Sequence, residues 1–431
     1  YFPSFSAAWR VSEEKFMKNI TPVSNLKLRL GWGTVGNDRI TNYLSMDLYT
    51  SSKYGLGQQM VTVLNPKQLA NKDLKWEGST TANLGIDVGL FQNRLNLTAD
   101  FFLKNTKDLL LEQKLAYVTG FNSQWQNIGK IENKGIEIAL NTRPIELKDF
   151  SWDLNLNFSK NSNKVKKLVD GMDMFELEKA AWLDVQVAAK VGENFGAIVG
   201  PDFKRNENGD ILIDPQTGLP QYDKSNHVLG NASWDWTGGL GTTLTYKNLS
   251  LSALFDIKVG ADLYSMSARA SYESGKSKET LAGREEWYRS EEQRQAAGIA
   301  KGSPDWTPTG GFIAPGVIDN GDGTYRPNDI YINPEDYWMS VCRNAPSMFI
   351  YDNSYIKCRE ITLSYRVPQS WLKNVVKGLT VSFVARNPFI VWKNIPNIDP
   401  DSNYNNTTGM GLEYGSLPSR RSYGFNVNLK F

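Results

Sequence analysis

Eleven segments of the chain alternate apolar with polar side chains, and the connections between them alternate in length. The segments are residues 5–11, 26–32, 84–90, 95–101, 136–140, 152–158, 240–246, 249–255, 361–367, 379–385 and 423–431. Because successive side chains of a strand point to opposite faces, each segment predicts a strand with one apolar and one polar face. The short connections are residues 12–25, 91–94, 141–149, 247–248 and 368–378. The long connections are residues 34–79, 105–125, 160–236, 258–354 and 386–420.

Short turns on one rim and long loops on the other are typical of an outer-membrane barrel, with the turns in the periplasm and the loops outside. A soluble two-sheet protein also alternates, but it has no reason to sort its connections by length. We therefore predict an all-β fold, a transmembrane antiparallel β-barrel. Eleven strands cannot close such a barrel, so we expect residues 1–431 to be the C-terminal half of a barrel of about 22 strands, with the plug and any N-terminal extension outside this chain.

The last nine residues, YGFNVNLKF, are predicted to be the closing strand. Their apolar positions are Tyr423, Phe425, Val427, Leu429 and Phe431. The order of short and long connections directs this strand from the outside to the periplasm. It therefore ends on an aromatic residue at the periplasmic rim.

Composition argues against several functions. The 48 basic and 46 acidic residues nearly balance, so no surplus of positive charge indicates nucleic-acid binding. His227 is the only histidine, and the sequence contains no GxSxG, Walker or HExxH motif, so we expect neither an enzyme nor a cofactor.

Metal ligands and disulfides are also sparse. Residues 206–214 and 319–323 are rich in oxygen ligands but lack the spacing of a calcium loop, so we interpret them as turns and expect no metal. Cys342 and Cys358 are the only cysteines, and they are either a disulfide or two buried thiols.

Aromatic residues cluster in the long connections. Such rings pack loops together, meet a partner protein, or offer flat faces to a ligand such as a sugar. The candidates for contact with a ligand or partner are Trp306, Tyr331, Trp338, Tyr404 and Tyr414.

Four glycines fall on the polar face that would line the lumen. They are Gly85, Gly89, Gly239 and Gly241. Our hypothesis is that their missing side chains leave room for a plug.

Several long strings resemble the SusC/RagA family of TonB-dependent outer-membrane transporters, in the family's order and over nearly the whole chain. The strings are YFPSFSAAWRVSEE (1–14), LKLRLGWGTVGN (26–37), LKWEGSTTANLGIDVGLFQNRLNLTADFF (74–102), NIGKIENKGIEIAL (127–140), DNSYIKCREITLSYRVP (352–368), NIDPDSNY (397–404) and YGFNVNLKF (423–431).

This resemblance implies a 22-stranded barrel in the outer membrane of Bacteroidota, in contact with its lipid. It implies active import of a large nutrient, an oligosaccharide or else a peptide, powered by the TonB complex through an N-terminal part absent here. It further implies a SusD-like lipoprotein lid over the external loops, and recognition of Phe431 by the barrel-assembly machinery. A surface receptor or adhesin without transport and a passive porin remain as alternatives.

Overall fold

The computed structural model describes residues 1–169, 171–179, 184–372, 376–405 and 407–431, apart from the Tyr117 side chain. Its main element is one antiparallel sheet of 11 strands, called the wall below, in which every strand pairs with its neighbours in chain order. The strands are β1 (Ser4–Arg10), β2 (Val23–Asn37), β3 (Glu77–Leu90), β4 (Leu95–Lys107), β5 (Lys130–Glu146), β6 (Phe150–Lys167), β7 (Trp236–Tyr246), β8 (Leu249–Val259), β9 (Tyr355–Arg366), β10 (Gly378–Lys393) and β11 (Ser422–Lys430). All eleven predicted strands are confirmed.

The wall also confirms the rule of alternating connections. On one rim the strands are joined by residues 11–22, 91–94, 147–149, 247–248 and 367–377. On the other rim they are joined by residues 38–76, 108–129, 168–235, 260–354 and 394–421. Strand β6 extends over 18 residues, longer than a membrane crossing of about 9–11 residues requires, so its end continues into the long-loop region.

One face of the wall carries large apolar side chains and the other carries polar ones. Leu84 on β3 and Phe101 on β4 are exposed although both lie in the middle of long strands. Exposed apolar rows of this kind need an apolar solvent, which for an outer-membrane barrel is the lipid. We call this the outer face and the polar side the inner face.

The long connections carry secondary structure of their own. Three helices lie in residues 260–354: α1 (Met266–Glu273), α2 (Arg284–Ala296) and α3 (Pro334–Asn344). Among the described residues, none of the helices has the length and apolar character needed to cross a membrane. The strands outside the wall are Leu48–Leu56, Gln59–Leu69, Leu110–Lys114, Ser123–Asn127, Met174–Lys179, Gln186–Lys190, Phe195–Phe203, Tyr222–Asn231, Asp262–Ser265, Phe312–Ile313, Val317–Asp319, Tyr325–Pro327, Tyr331–Ile332, Ile350–Asp352 and Leu412–Glu413. Single 3-10 turns are Val11–Glu13, Tyr117–Thr119, Lys278–Leu281, Pro346–Phe349 and Gln369–Trp371.

The largest hydrophobic core lies in these connections and not in the wall. It joins residues of 168–235 such as Val187 and Ile198 to residues of 260–354 such as Val341 and Phe349, and to Leu412. Burying this much apolar surface stabilises the connections as one folded layer. We call this layer the loop cap.

Candidate functional site

A charge cluster lies on the inner face of the wall, across β2, β3 and β4. Arg29 on β2 donates to Asp87 on β3 at 2.9 Å and to Asp100 on β4 at 2.8 Å. The three side chains meet beside Gly85, where an added Cβ would lie 2.5 Å from the Arg29 guanidinium carbon. Glycine at this position therefore makes room for the ion pairs.

The other inner-face glycines also face side chains of neighbouring strands or turns. A Cβ at Gly89 would lie 2.3 Å from Asn93 Oδ1, and one at Gly239 would lie 2.6 Å from Asn157 Nδ2. At Gly241 the nearest atom, Asn155 Cβ, is 3.6 Å away, an ordinary contact. At three of the four positions the space that we attributed to a plug is occupied by polar side chains of the wall or of its short turns.

A second group of charged residues reaches the inner face because β9 contains a bulge. Leu254 of β8 pairs with Glu360, and the next residue, Phe255, pairs with Cys358, so Arg359 has no partner in this ladder. An extra residue of this kind shifts the alternation of the strand. Lys357 consequently pairs with Asp256 on the inner face.

Strand pairing makes the inner face continuous across the wall from β2 to β9. Directly paired residues lie on the same face of a sheet. The row passes through Arg29, Gly85, Asp100, Glu137, Ser159, Thr237, Lys258 and Tyr355.

The β9 side chains tie the wall to residues 394–421. Lys357 Nζ lies 3.1 Å from Asp399 and 2.6 Å from Asp401. Arg359 donates to Asp401 at 2.8 Å and also to Asp256 of β8, and the Tyr355 hydroxyl donates to Asp401 at 2.8 Å. These six residues, Asp256, Tyr355, Lys357, Arg359, Asp399 and Asp401, are called the wall–loop network below.

The wall–loop network holds its loop carboxylates in the charged form. Burial raises the pKa of Asp401, but hydrogen bonds from Arg359, Lys357 and Tyr355 outweigh it and lower that pKa. The pKa of Asp399 is likewise lowered, because hydrogen bonds from Ser419, the Asp401 amide and Lys357 exceed the effect of burial. Lys357 exposes only 2 % of its side chain, and Asp399 and Asp401 compensate its positive charge.

A further buried carboxylate fixes residues 394–421 to the loop cap. Glu413 accepts from the Ser265 hydroxyl at 2.8 Å and from the Ser267 amide and hydroxyl at 3.0 and 2.8 Å. Ser265 is the N-cap of α1, so the negative charge also meets the positive end of this helix.

The predicted loop aromatics are placed in different surroundings. Trp338 exposes 8 % of its surface and packs on Tyr272 with ring centroids 4.9 Å apart. Trp306 is half-buried, whereas Tyr331 is exposed on a short strand. Only Tyr404 and Tyr414 are brought together, at 6.0 Å between centroids.

The strand predicted over the last nine residues is confirmed as β11, which pairs with β10 from Ser422 opposite Arg386 to Lys430 opposite Gly378. Its outer face carries Tyr423, Phe425, Val427 and Leu429, all exposed. Phe383 of β10 contacts the rings of Phe425 and Tyr423 at 5.5 and 6.3 Å. Phe431 follows the strand and is also exposed.

The oxygen-rich segments form turns. Asn206 Oδ1 accepts from the amides of Asn208 and Asp210, and Asp322 Oδ1 accepts from the Thr324 amide. Within the described ranges there is no group of three acidic, histidine or cysteine side chains able to hold a metal. Cys342 and Cys358 are both free buried thiols. Of the two alternatives, a disulfide or two buried thiols, the structure therefore has the two thiols.

An antiparallel wall with an apolar outer face, a polar inner face and long loops on one rim defines an outer-membrane β-barrel protein. Residues 1–171 match the family model described as TonB dependent receptor-like, beta-barrel. TonB-dependent receptor P3 of Formosa agariphila is 28% identical over 100% of this chain and 42% of its own length. TonB-dependent receptor SusC of Bacteroides thetaiotaomicron is also 28% identical, over 100% of this chain and 40% of its own length.

The fold agrees with these matches. The structure of the RagAB peptide transporter superposes with a TM-score of 0.73 at 22% identity, covering 100% of this chain and 43% of that chain. The chain is therefore similar to TonB-dependent receptors over its whole length, and residues 1–171 match the model of their β-barrel. It spans less than half the length of the relatives named here.

Proposed function

We propose that the receptor containing this chain imports a large polar nutrient across the outer membrane with energy from TonB. The observation that carries this proposal is the wall: 11 strands with a continuous polar inner face provide one side of a wide lumen. Barrels of about 22 strands enclose a lumen that needs a plug. We propose that residues 1–431 form the C-terminal half of such a barrel and that the rest of the receptor supplies the plug and the TonB contact.

The nutrient that we propose is an oligosaccharide, with a peptide as the second candidate. The likeness to RagAB shows the fold and does not select a peptide, because the identity is 22%. Exposed rings on the loops support a carbohydrate, whose flat apolar faces stack on aromatic side chains.

A SusD-like lipoprotein is the partner that we propose for the external loops. Tyr331, Tyr404 and Tyr414 are proposed contacts with this lid or with the nutrient, because they lie in long connections and keep exposed or half-exposed rings. Trp306 and Trp338 contribute mainly by holding the loops in place. Purification of the tagged intact receptor should retain the lipoprotein, and its absence would count against this partner.

We also propose that the exposed pattern of β11 and Phe431 is the signal read during barrel assembly. Replacing Phe431 with Ala removes the terminal ring without changing any strand pairing, since the pairing ends at Lys430. The expected result is less receptor in the outer membrane at unchanged synthesis. An unchanged outer-membrane level would contradict this role.

Import is tested with intact cells that carry the receptor. Uptake of a labelled oligosaccharide that supports growth should require both the receptor and TonB. Uptake that continues after loss of TonB would indicate a passive porin. Surface binding without entry into the periplasm would indicate a receptor or adhesin.

A further inference from the structure

A cleft of about 510 Å³ opens between the three helices of the loop cap. The residues that line it all lie outside the wall strands. Its walls come from the end of α1, from α2 and from the start of α3. The volume is in the range of small-molecule sites, about 300–1,000 Å³, and is too small for a folded partner.

Aromatic rings form much of this cleft. Tyr272 and Trp338 are packed against each other at 4.9 Å and are held by the core of the loop cap. Trp287 and Tyr288 project from α2, and Tyr288 is 66% exposed. Tyrosine and tryptophan side chains have only two torsions to order, so a ligand can stack on them at a low cost in conformational entropy.

The sequence of α2 indicates that the rings of Trp287 and Tyr288 contact a ligand and not the core. Its sequence, REEWYRSEEQRQA, is charged or polar at nearly every position except Trp287 and Tyr288. An exposed tyrosine on such a helix contributes little to the core, since most of its ring meets solvent.

The polar groups of the cleft divide into those already paired and those still free. Glu273 pairs with Arg269, Glu291 pairs with Arg294, and Arg284 donates to the Thr280 and Gly275 carbonyls. The side chains of Gln295, Lys301 and Glu335 and the Tyr288 hydroxyl make no hydrogen bond or ion pair with the described residues. Lys301 and Glu335 carry opposite charges, and the positive charge of Arg284 is bonded only to neutral oxygens.

From these features we infer that the loop-cap cleft binds a neutral oligosaccharide, with a sugar ring stacked on Trp287 or Tyr288 and its hydroxyls bonded to the free polar groups. A sugar presents apolar C–H faces to rings and hydroxyls to amide, ammonium and carboxylate groups. The cleft is lined by two basic and three acidic side chains, so neither sign dominates and a neutral ligand is favoured over an anion or a cation. As a first binding site for the imported nutrient, the cleft rests on the proposed function, but binding itself requires no transport.

The test uses the intact receptor purified in detergent with any partner that remains bound. Neutral hexasaccharides of glucose, mannose, xylose and galactose are titrated by calorimetry. We expect at least one to bind, Tyr288→Ala to weaken it about five- to tenfold, and Tyr288→Phe to stay within about twofold, because stacking needs the ring and not the hydroxyl. Tyr54→Ala, which removes a similarly exposed tyrosine from the strand Leu48–Leu56, should change nothing.

Misfolding is not expected to explain a loss, since Tyr288 is a surface side chain and Tyr288→Phe retains its shape. The inference is overturned if no hexasaccharide binds, or if Tyr288→Ala and Trp287→Ala leave binding unchanged. It is also overturned if the ligands that bind at Trp287 and Tyr288 are only peptides. Binding without uptake by cells would instead contradict import. Uptake that is insensitive to the cleft variants would leave import intact and remove the cleft as its entry site.

Discussion

The two charge clusters on the inner face of the wall differ in what they connect. Arg29, Asp87 and Asp100 join three neighbouring strands that are already held by a full ladder of backbone hydrogen bonds. The wall–loop network joins β9 to residues 394–421, whose described residues form no continuous ladder with it. The first cluster therefore adds to an existing structure, whereas the second fixes a loop against the wall.

The clusters also differ in their access to solvent. Arg29 exposes 30% of its side chain, against 2% for Lys357. Removing one partner of a buried ion pair leaves an uncompensated charge, whereas partly exposed groups regain water. Ion pairs of similar length therefore contribute differently to stability in the two clusters.

Lys357→Met should have the largest effect. It removes the cation between Asp399 and Asp401, and we expect a loss of about 3–5 kcal/mol in the local stability of residues 394–421. Hydrogen exchange at the Ser419 amide, which donates to Asp399 at 2.8 Å, should accelerate at least about 100-fold. Lys114→Met, which removes an exposed pair with Glu176, is the control and should cost less than about 1 kcal/mol.

Arg29→Met should have a smaller effect. It leaves Asp87 and Asp100 facing each other, but both can be hydrated, so we expect a loss of about 1–2 kcal/mol in unfolding from lipid vesicles by urea. Adding Asp87→Asn should recover part of this loss by removing one like charge. A loss as large as that of Lys357→Met would contradict the distinction between the two clusters.

Gly85→Ala tests whether the Arg29 cluster needs the space left by the missing side chain at residue 85. The new Cβ would overlap the ends of the Arg29 and Asp100 side chains, which can shift, so we expect a loss of about 1 kcal/mol. Gly241→Ala, with its nearest atom at 3.6 Å, should be close to neutral. Equal effects in the same urea experiment would show that the crowding at Gly85 has no consequence.

Mild acid should have the smallest effect. The pKa values of Asp399 and Asp401 are lowered from 3.8, so their contribution to stability is complete above about pH 4 and is lost only as the pH falls further, through the lower folded-state values. A spin label at Leu417→Cys, an exposed position in residues 394–421, should keep the same mobility from pH 7 to about 5. Release of the label within that interval would contradict the assigned charges.

The wall could be predicted because alternation and the sorting of connections by length are both written into the sequence. The outer face needs apolar side chains at every second position, and few other folds impose this over eleven segments. Tyr355, Lys357 and Arg359 interrupt that pattern, so strand nine was predicted to start at Ile361 and not at Tyr355. Val11 likewise continues the alternation of β1 but begins a 3-10 turn.

The loop cap could not be predicted in the same way. Its core is built from residues as far apart as Val187 and Leu412, and no local period records such contacts. The amphipathic helix α3, with Asn333 as N-cap and Pro334 at its first turn, was a local signal that could have been found. The bulge at Arg359 appears in the sequence only as the interruption of the alternation in β9, and its pairing depends on two neighbouring strands.

The orientation of the wall is tested most directly by labelling single cysteines in intact cells with a membrane-impermeant maleimide. The native thiols of Cys342 and Cys358 are buried, so they should give little background. Leu417→Cys lies in a long connection and should be labelled in intact cells. Asn248→Cys lies in the turn between β7 and β8 and should be labelled only after the outer membrane is permeabilised. Labelling of residue 248 but not residue 417 in intact cells would contradict the assignment of long loops to the outside and short turns to the periplasm.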